Sequence, residues 1–383
     1  MKIVEANIYL LSIPFKFSFG HYLKKHSFSD SIIVELISDA GVRGYGEGIA
    51  REFVTGETVK KSVNHIKTVL LPAILKKVLP APDRQNPMKI LSEIKRMFPT
   101  NKEPGILAWN ASLCAVELAT VDCILKEMKE SLNYVLPPSS KNVTYSGVLT
   151  SGSPESTVNF AKLFKGAGLR HIKIKVGGTD DHRRIGIVRE IMGPSVSIRL
   201  DANGAFDVKT AISFINSVAG FRIDCIEQPV MRGGVKDLAV VRSSTSIPIM
   251  VDESLVTLHD AKRLIEKKAC DYFNLRISKC GGLFNTLAIA DIAKKSGIKI
   301  QLGCHVGETA VLSAAGRHLA AYLPDAEFVE GSFSTLLLAD DISKEKIEFG
   351  KGGKAPLLIG PGLGVNIRRE ALLKYAEKII YVS

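Results

Sequence analysis

No run of the 383 residues approaches 18 consecutive apolar positions, so no helix is expected to span a membrane. The opening stretch Met1-Lys-Ile-Val-Glu-Ala-Asn-Ile-Tyr-Leu carries charge among its apolar residues and lacks a cleavage site of signal-peptide type. Cysteine is scarce and scattered. Cys114, Cys123, Cys225, Cys270, Cys280 and Cys304 form no C-x-x-C pair and sit mostly in apolar runs. That argues against zinc and against a disulfide framework, and a reducing cytoplasm is the expected location. Tryptophan occurs once, and no block of five basic residues exists, although 51 Lys and Arg against 39 Asp and Glu leave a net charge of +12. Scattered cations with one indole to stack on bases argue against nucleic acid, and they leave an acidic surface or a small anionic substrate as the partner the charge favours.

What is present is enough for a large core. With 46% hydrophobic and 23% charged residues the chain is not disordered, and its length suggests one large barrel plus a smaller domain. Strand patterns cover Ile3 to Ile13, Ser31 to Ile37 and Val42 to Gly48, with a turn at Asp39-Ala-Gly41. Between the first two lies Phe15-Lys-Phe17-Ser-Phe19-Gly-His21-Tyr-Leu-Lys24-Lys25, which is too aromatic for an ordinary solvent loop. It reads as core or as a flap over a pocket, with Phe19 and His21 as candidate substrate contacts. Helical periodicity then covers Val59–Leu79, Pro87–Met97 and Gly105–Glu127. Pro137-Pro138-Ser-Ser140 is the clearest linker. The expected division is an α+β domain over 1–135, a barrel over 136–330, and a segment over 331–383 that returns to the first domain.

The barrel expectation rests on a period. Leu149, Lys175, Asp201, Glu227, Asp252, Lys279, His305 and Glu330 each close a short apolar run, and neighbours are separated by 25 to 27 residues. A strand, a loop, a helix and a second loop add up to roughly 25 residues. Helices are expected at about 181–192, 207–219, 235–244, 257–268, 282–296 and 308–322. Residues at consecutive strand C-termini face one rim of a parallel barrel, where catalytic groups of that fold sit. Asp, Glu and Lys also simply begin loops. Three carboxylates flanked by two lysines in register fit the rim better.

Asp201, Glu227 and Asp252, without Cys or His partners, make an all-oxygen set suited to Mg²⁺ or Mn²⁺. Lysines on both sides suggest proton transfer next to a carboxylate.

These motifs together resemble the enolase superfamily, in its muconate lactonizing enzyme subgroup. The resemblance spans nearly the whole chain through Gly44-Tyr-Gly46-Glu47, Thr55-Gly56-Glu57-Thr58, Lys173-Ile-Lys175, Asp201-Ala-Asn203, Glu227-Gln-Pro229, Asp252-Glu253-Ser254 and Lys279-Cys-Gly281-Gly282. It implies an α/β fold, a modified TIM (β/α)7β-type barrel with an α+β capping domain. It also implies Mg²⁺ on Asp201, Glu227 and Asp252, with Lys175 and Lys279 facing opposite sides of the substrate α-carbon. Lys173 would touch the substrate carboxylate, and Asn203 and Glu253 would support the ligands. A homo-oligomer is expected.

Two departures matter. Gly303-Cys-His305-Val-Gly-Glu308 places a histidine where the family has another residue, so His305 is a candidate substrate contact. The Asp-x-Asp pair of dipeptide epimerases is absent, and the chain reads Glu330-Gly-Ser-Phe instead, leaving Glu330 alone to meet an ammonium group. The resulting expectation is a Mg²⁺-dependent isomerase that removes an α-proton through an enolate intermediate, acting as a racemase or epimerase of an amino-acid derivative or dipeptide. An o-succinylbenzoate synthase-like dehydratase or a muconate cycloisomerase is the enzyme alternative. A catalytically inactive binding barrel is the other, and paired lysines beside three acids count against it.

Overall fold

The computed structural model describes residues 1–21 and 24–382, and the side chains of residues 17–26 lie outside that description. The chain opens with β1 (Ile3–Leu11), β2 (Pro14–His21), β3 (Lys24–Phe28), β4 (Ile32–Ser38) and β5 (Arg43–Gly48). β1, β4 and β5 pair antiparallel, and β2 pairs with β3 as a hairpin of its own. The described part of the aromatic segment is therefore strand.

One helix, Asn110–Glu127, lies across this sheet with fifteen of its eighteen residues buried. Its run Ala111, Ala115, Ala119 and Cys123 presents small side chains, and Gly44, Gly46 and Gly48 of β5 meet them. A Cβ on Gly46 would stand 2.1 Å from the Ala115 carbonyl oxygen, so backbone packs on backbone there. The helix begins five residues later than its periodicity suggests. Glu57 decides this, since its carboxylate accepts the amides of Ala111 (2.9 Å) and Ser112 (3.1 Å), two of the donors that a helix start leaves unsatisfied.

After β6 (Asn142–Thr144) come eight parallel strands whose spatial order follows the sequence: β7 (Gly147–Leu149), β8 (His171–Lys175), β9 (Ser197–Asp201), β10 (Cys225–Glu227), β11 (Ile249–Val251), β12 (Tyr272–Leu275), β13 (Lys299–Leu302) and β14 (Ala326–Val329). The Ser146 amide donates to the Val329 carbonyl at 2.8 Å, joining the first edge to the last. Helices Pro154–Gly166, Asp181–Met192, Val208–Val218, Val235–Ser243, Leu258–Glu266, Leu283–Lys295 and Ala310–Tyr322 fill the intervals, within two residues of their expected limits wherever limits were drawn. Ser153, Asp207, Thr257 and Thr309 cap four of them through side-chain oxygens, as these residue types do at helix starts. Beyond the barrel, β15 (Lys354–Pro356) pairs with β6, and β16 (Ala376–Val382) pairs antiparallel with β1.

Candidate active site at the barrel rim

β8, β9 and β10 end on Lys175, Asp201 and Glu227, which stand side by side in register. Asp252 directly follows β11, and Glu330 directly follows β14. Asp201, Glu227 and Asp252 are fully buried.

Lys279 and His305 do not stand at strand ends. β12 stops at Leu275 and β13 at Leu302, four and three residues earlier. A count of residues per repeat cannot separate strand from the turn that follows it, and here the turn is helical. Residues Ile277–Cys280 form one helical turn, clamped from the first domain: the Ile49 amide donates to Ser278 Oγ (2.9 Å), and Asn110 Nδ2 donates to the Lys279 carbonyl (2.5 Å). Gly282, at φ 97°, ends the turn where a Cβ would sit 2.6 Å from the Glu117 carboxylate. Lys279 is thereby folded back and buried. Its Nζ donates to the carbonyls of Asp252 (2.7 Å) and Asn274 (2.8 Å) and lies 2.9 Å from Asp252 Oδ1. Two carbonyls and one carboxylate thus surround its ammonium group.

The residue that directly follows β12 is Arg276, which sequence reasoning did not single out. Its guanidinium contacts Asp252 Oδ2 closely and lies 3.6 Å from Glu227 Oε1. Burial opposes its charge, but Asp252 and Glu227 outweigh burial and push its pKa up. The available signal was position. Leu275-Arg276 repeats the apolar-then-charged step of Val251-Asp252 and Val329-Glu330.

Beneath the rim lies a second charged layer. Lys173 Nζ is 2.6 Å from Glu330 Oε2 and 3.2 Å from both Asp201 Oδ2 and Glu227 Oε2. Burial would lower the pKa of this lysine, yet Glu227, Glu330 and Asp201 together raise it. Glu330 Oε1 accepts from the fully buried Arg199 at 2.9 Å, and Arg199 also contacts Gln301. Burial works against the Glu330 carboxylate, but Lys173 and Arg199 hold its pKa down at about 2. The expected role of Glu330 against a substrate ammonium does not fit this placement. Both its oxygens serve Lys173 and Arg199, because an acid sealed at the barrel centre has to find its counter-charge inside the protein. Lys173 is likewise taken up by carboxylates.

Lys175 is the more open lysine. Its Nζ donates to Asp201 Oδ2 and to Asn203 Oδ1, each at 2.6 Å. Asn203 adopts φ +46°, uncommon for a residue with a side chain, and its Nδ2 donates to Glu253 Oε1 at 2.9 Å. Burial, then the charges of Asp252 and Asp201, push Glu253 up to about 7. Asn203 thus joins Glu253 to Lys175, and Lys175 in turn joins Asp201.

The three acids suit a hard divalent cation by donor type, all oxygen and all buried. Glu227 is raised first by burial and next by Asp201, the repulsion that a cation relieves. As placed, among the described residues, no three acids, histidines or cysteines converge closely enough to hold an ion. They lean instead on Lys173, Lys175, Arg276 and Lys279.

A cleft of about 510 Å³ opens beside Lys175, lined by Ser151, Gly152, Gly177, Gly178, Thr179 and Asp180 among others. His305 is buried, its Nδ1 finds no hydrogen-bond partner among the described residues, and it lies 3.8 Å from Glu308 Oε1. Burial, then the cations of Arg276, Arg51 and Lys279, push His305 well below its ordinary pKa. The first domain grips this loop, since Arg51 Nη2 donates to the Val306 carbonyl (3.0 Å) and Ser29 Oγ to the Gly307 carbonyl (2.9 Å). The base of the β2–β3 hairpin meets the segment that follows β14, with the Ala339 amide donating to the Pro14 carbonyl at 2.8 Å. The Phe19 and His21 side chains, expected at the substrate, lie outside the described residues.

Comparison with known proteins follows the same lines. A family model described as "Enolase C-terminal domain-like" matches residues 157–371. The N-succinyl-L-Arg/Lys racemase of Bacillus cereus is 31% identical over 84% of each chain. Its crystal structure superposes with a TM-score of 0.89 at 29% identity, covering 100% of both chains. The dipeptide epimerase of Enterococcus faecalis V583, solved with Mg and the dipeptide L-Leu-L-Tyr, gives a TM-score of 0.82 at 28% identity, covering 96% of this chain and 100% of that one.

Proposed function

The chain belongs to the enolase superfamily, and on that premise we propose that Lys175 draws the α-proton from an anionic amino-acid derivative at this rim. The protein is an enzyme, an isomerase of the racemase and epimerase kind, as the names of its relatives indicate. An N-acylated amino acid or a dipeptide is the substrate class proposed, with its carboxylate directed to Asp201, Glu227 and Asp252. Those three residues would hold Mg²⁺, with Mn²⁺ as a substitute. When bound, the ion supplies positive charge for the carboxylate oxygens as the α-proton leaves. Lys175 receives that proton on Nζ, which Asp201 and Asn203 hold in place. One observation carries the reading: barrel order sets Lys175 before the acids of β9 to β11 and sets Arg276 and Lys279 after them.

In the racemase reading Lys279 returns a proton to the opposite face, for which it must release one of its acceptors at Asp252 or Asn274. The measurement is α-proton exchange with deuterium by NMR, for each enantiomer of a panel of N-acyl amino acids and dipeptides. Lys175→Ala is expected to lose exchange at one enantiomer by roughly a hundredfold or more, the scale of a general base. Lys279→Ala should lose it at the other. Should Lys279→Ala still interconvert enantiomers at near wild-type rate, Lys279 is not the second carrier. A second reading, dehydration or cycloisomerisation, is favoured by one feature. The charge directly after β12 is a guanidinium, which stabilises an anion but does not act as a base at neutral pH.

A further inference from the structure

Arg276 contacts two of the three acids that a divalent ion would need. It meets Asp252 through its closest ion pair and stands 3.6 Å from Glu227. Among the described residues, no acid set is open as the side chains stand. The charge is already balanced: Lys175 sits on Asp201, Lys279 and Arg276 sit on Asp252, and Lys173 bridges Asp201, Glu227 and Glu330. Of these cations, Lys173 and Lys279 are locked in, with side chains 3% and 1% exposed. Lys175 faces the cleft and is bound to Asp201 on the far side of the trio. Arg276 differs. Its side chain is 16% exposed, and its Nε finds no hydrogen-bond partner among the described residues. Its hold on the cluster therefore runs through the carboxylates, and it has a way out toward the rim.

We propose that Arg276 is a built-in counter-cation that closes the acid set in the absence of a divalent ion and must leave Asp252 and Glu227 for the ion to bind. The proposal rests on the metal assignment above and adds what sets its affinity. A guanidinium and a divalent ion cannot share Asp252 Oδ2 without like-charge repulsion, so each weakens the hold of the other. The arrangement keeps three buried carboxylates compensated during folding. It also makes the ion's affinity lower than the donor set alone would give.

Calorimetric titration of the metal-free enzyme with Mg²⁺ and with Mn²⁺ tests this, alongside thermal melting with and without the ion. Arg276→Met should bind either ion at least roughly tenfold more tightly than wild type, the direction that removal of a like charge demands. Without metal it should melt below wild type, because Asp252 and Glu227 lose their partner, and the gain in Tm on adding Mg²⁺ should be larger. Arg276→Lys, which keeps the charge on a shorter fork-less group, should fall between the two and guards against a Met variant that fails to fold. Equal or weaker ion binding in both variants, with wild type binding the ion, would overturn the latch and leave the metal assignment standing. If neither wild type nor variant binds a divalent ion, the metal assignment falls and the latch with it.

Discussion

Glu117 is a carboxylate in the middle of the buried helix Asn110–Glu127. It accepts a hydrogen bond from the Phe284 amide at 3.1 Å, at the start of the helix that follows Lys279, Gly281 and Gly282. Burial pushes its pKa up to about 7 from an ordinary 4.5. A raised folded-state pKa means that the acid contributes most below the unfolded value, and that this contribution is lost as pH climbs through the folded one. Glu117→Gln keeps an acceptor for Phe284 without the charge. Relative to that variant, wild type should lose about 3 kcal/mol of stability between pH 4.5 and pH 8, at 1.36 kcal/mol per unit. Denaturant midpoints of both proteins across that range check it, and parallel curves would mean that Glu117 stays protonated or is never desolvated. Nothing in the sequence distinguished Glu117 from the other acids of a helical stretch. Its role depends on which turn of which helix meets it.

At the level of elements, β5 and the helix over it were legible as strand and helix, but their contact was not. Gly44-Tyr-Gly46-Glu47 reads as a motif, and the fold supplies the reason for its glycines. Gly46→Ala would drive a methyl group to 2.1 Å from the Ala115 carbonyl and 2.4 Å from the Ala119 amide. Backbone atoms cannot swing aside, so the strand or helix must shift, at about 1–3 kcal/mol or more. Gly220→Ala serves as the control, since an added Cβ there meets nothing within 4 Å. Equilibrium unfolding in urea should separate the two variants, with Gly220→Ala at or slightly above wild type. If Gly46→Ala matched its control, the close approach of β5 to the helix would be wrong. The same scale explains Glu47, whose position at the end of β5 lets a buried carboxylate accept from the Thr309 (2.9 Å) and Leu312 (3.0 Å) amides at the start of helix Ala310–Tyr322.

Across the whole molecule, such acids tie the N-terminal sheet and helix to the barrel: Glu47 to helix Ala310–Tyr322, and Glu117 to helix Leu283–Lys295. β16 closes the first sheet after the barrel is complete, pairing with β1. Unfolding one part therefore strips buried acceptors and a strand partner from the other. The single tryptophan, Trp109, is stacked on His65 with ring centroids 4.2 Å apart, at the start of helix Asn110–Glu127 and remote in sequence from the barrel strands. Its fluorescence and the far-UV circular dichroism, which the barrel helices dominate, should give one coincident unfolding transition. A tryptophan transition at lower denaturant than the dichroism change would show that the first sheet and helix melt by themselves.

The sequence alone determined the alternation of strand and helix from residue 147 to residue 329 and the three acids on consecutive strands. It could do so because a parallel barrel repeats one short unit, so its period is written locally in apolar runs and caps. It also marked Lys173 and Lys175, whose spacing of two sends both to one side of a strand. It did not decide which cation meets which acid. Lys279 and Arg276 are three residues apart, and one turn of helix, held from the first domain by Asn110 and the Ile49 amide, buries the lysine and leaves the arginine on the acids. Glu330 likewise reads as a rim acid until Arg199 and Lys173, far away along the chain, close on both its oxygens. Pairings of that kind are set by burial, where each charge must find its opposite inside the protein, and only the assembled barrel fixes which opposites are near.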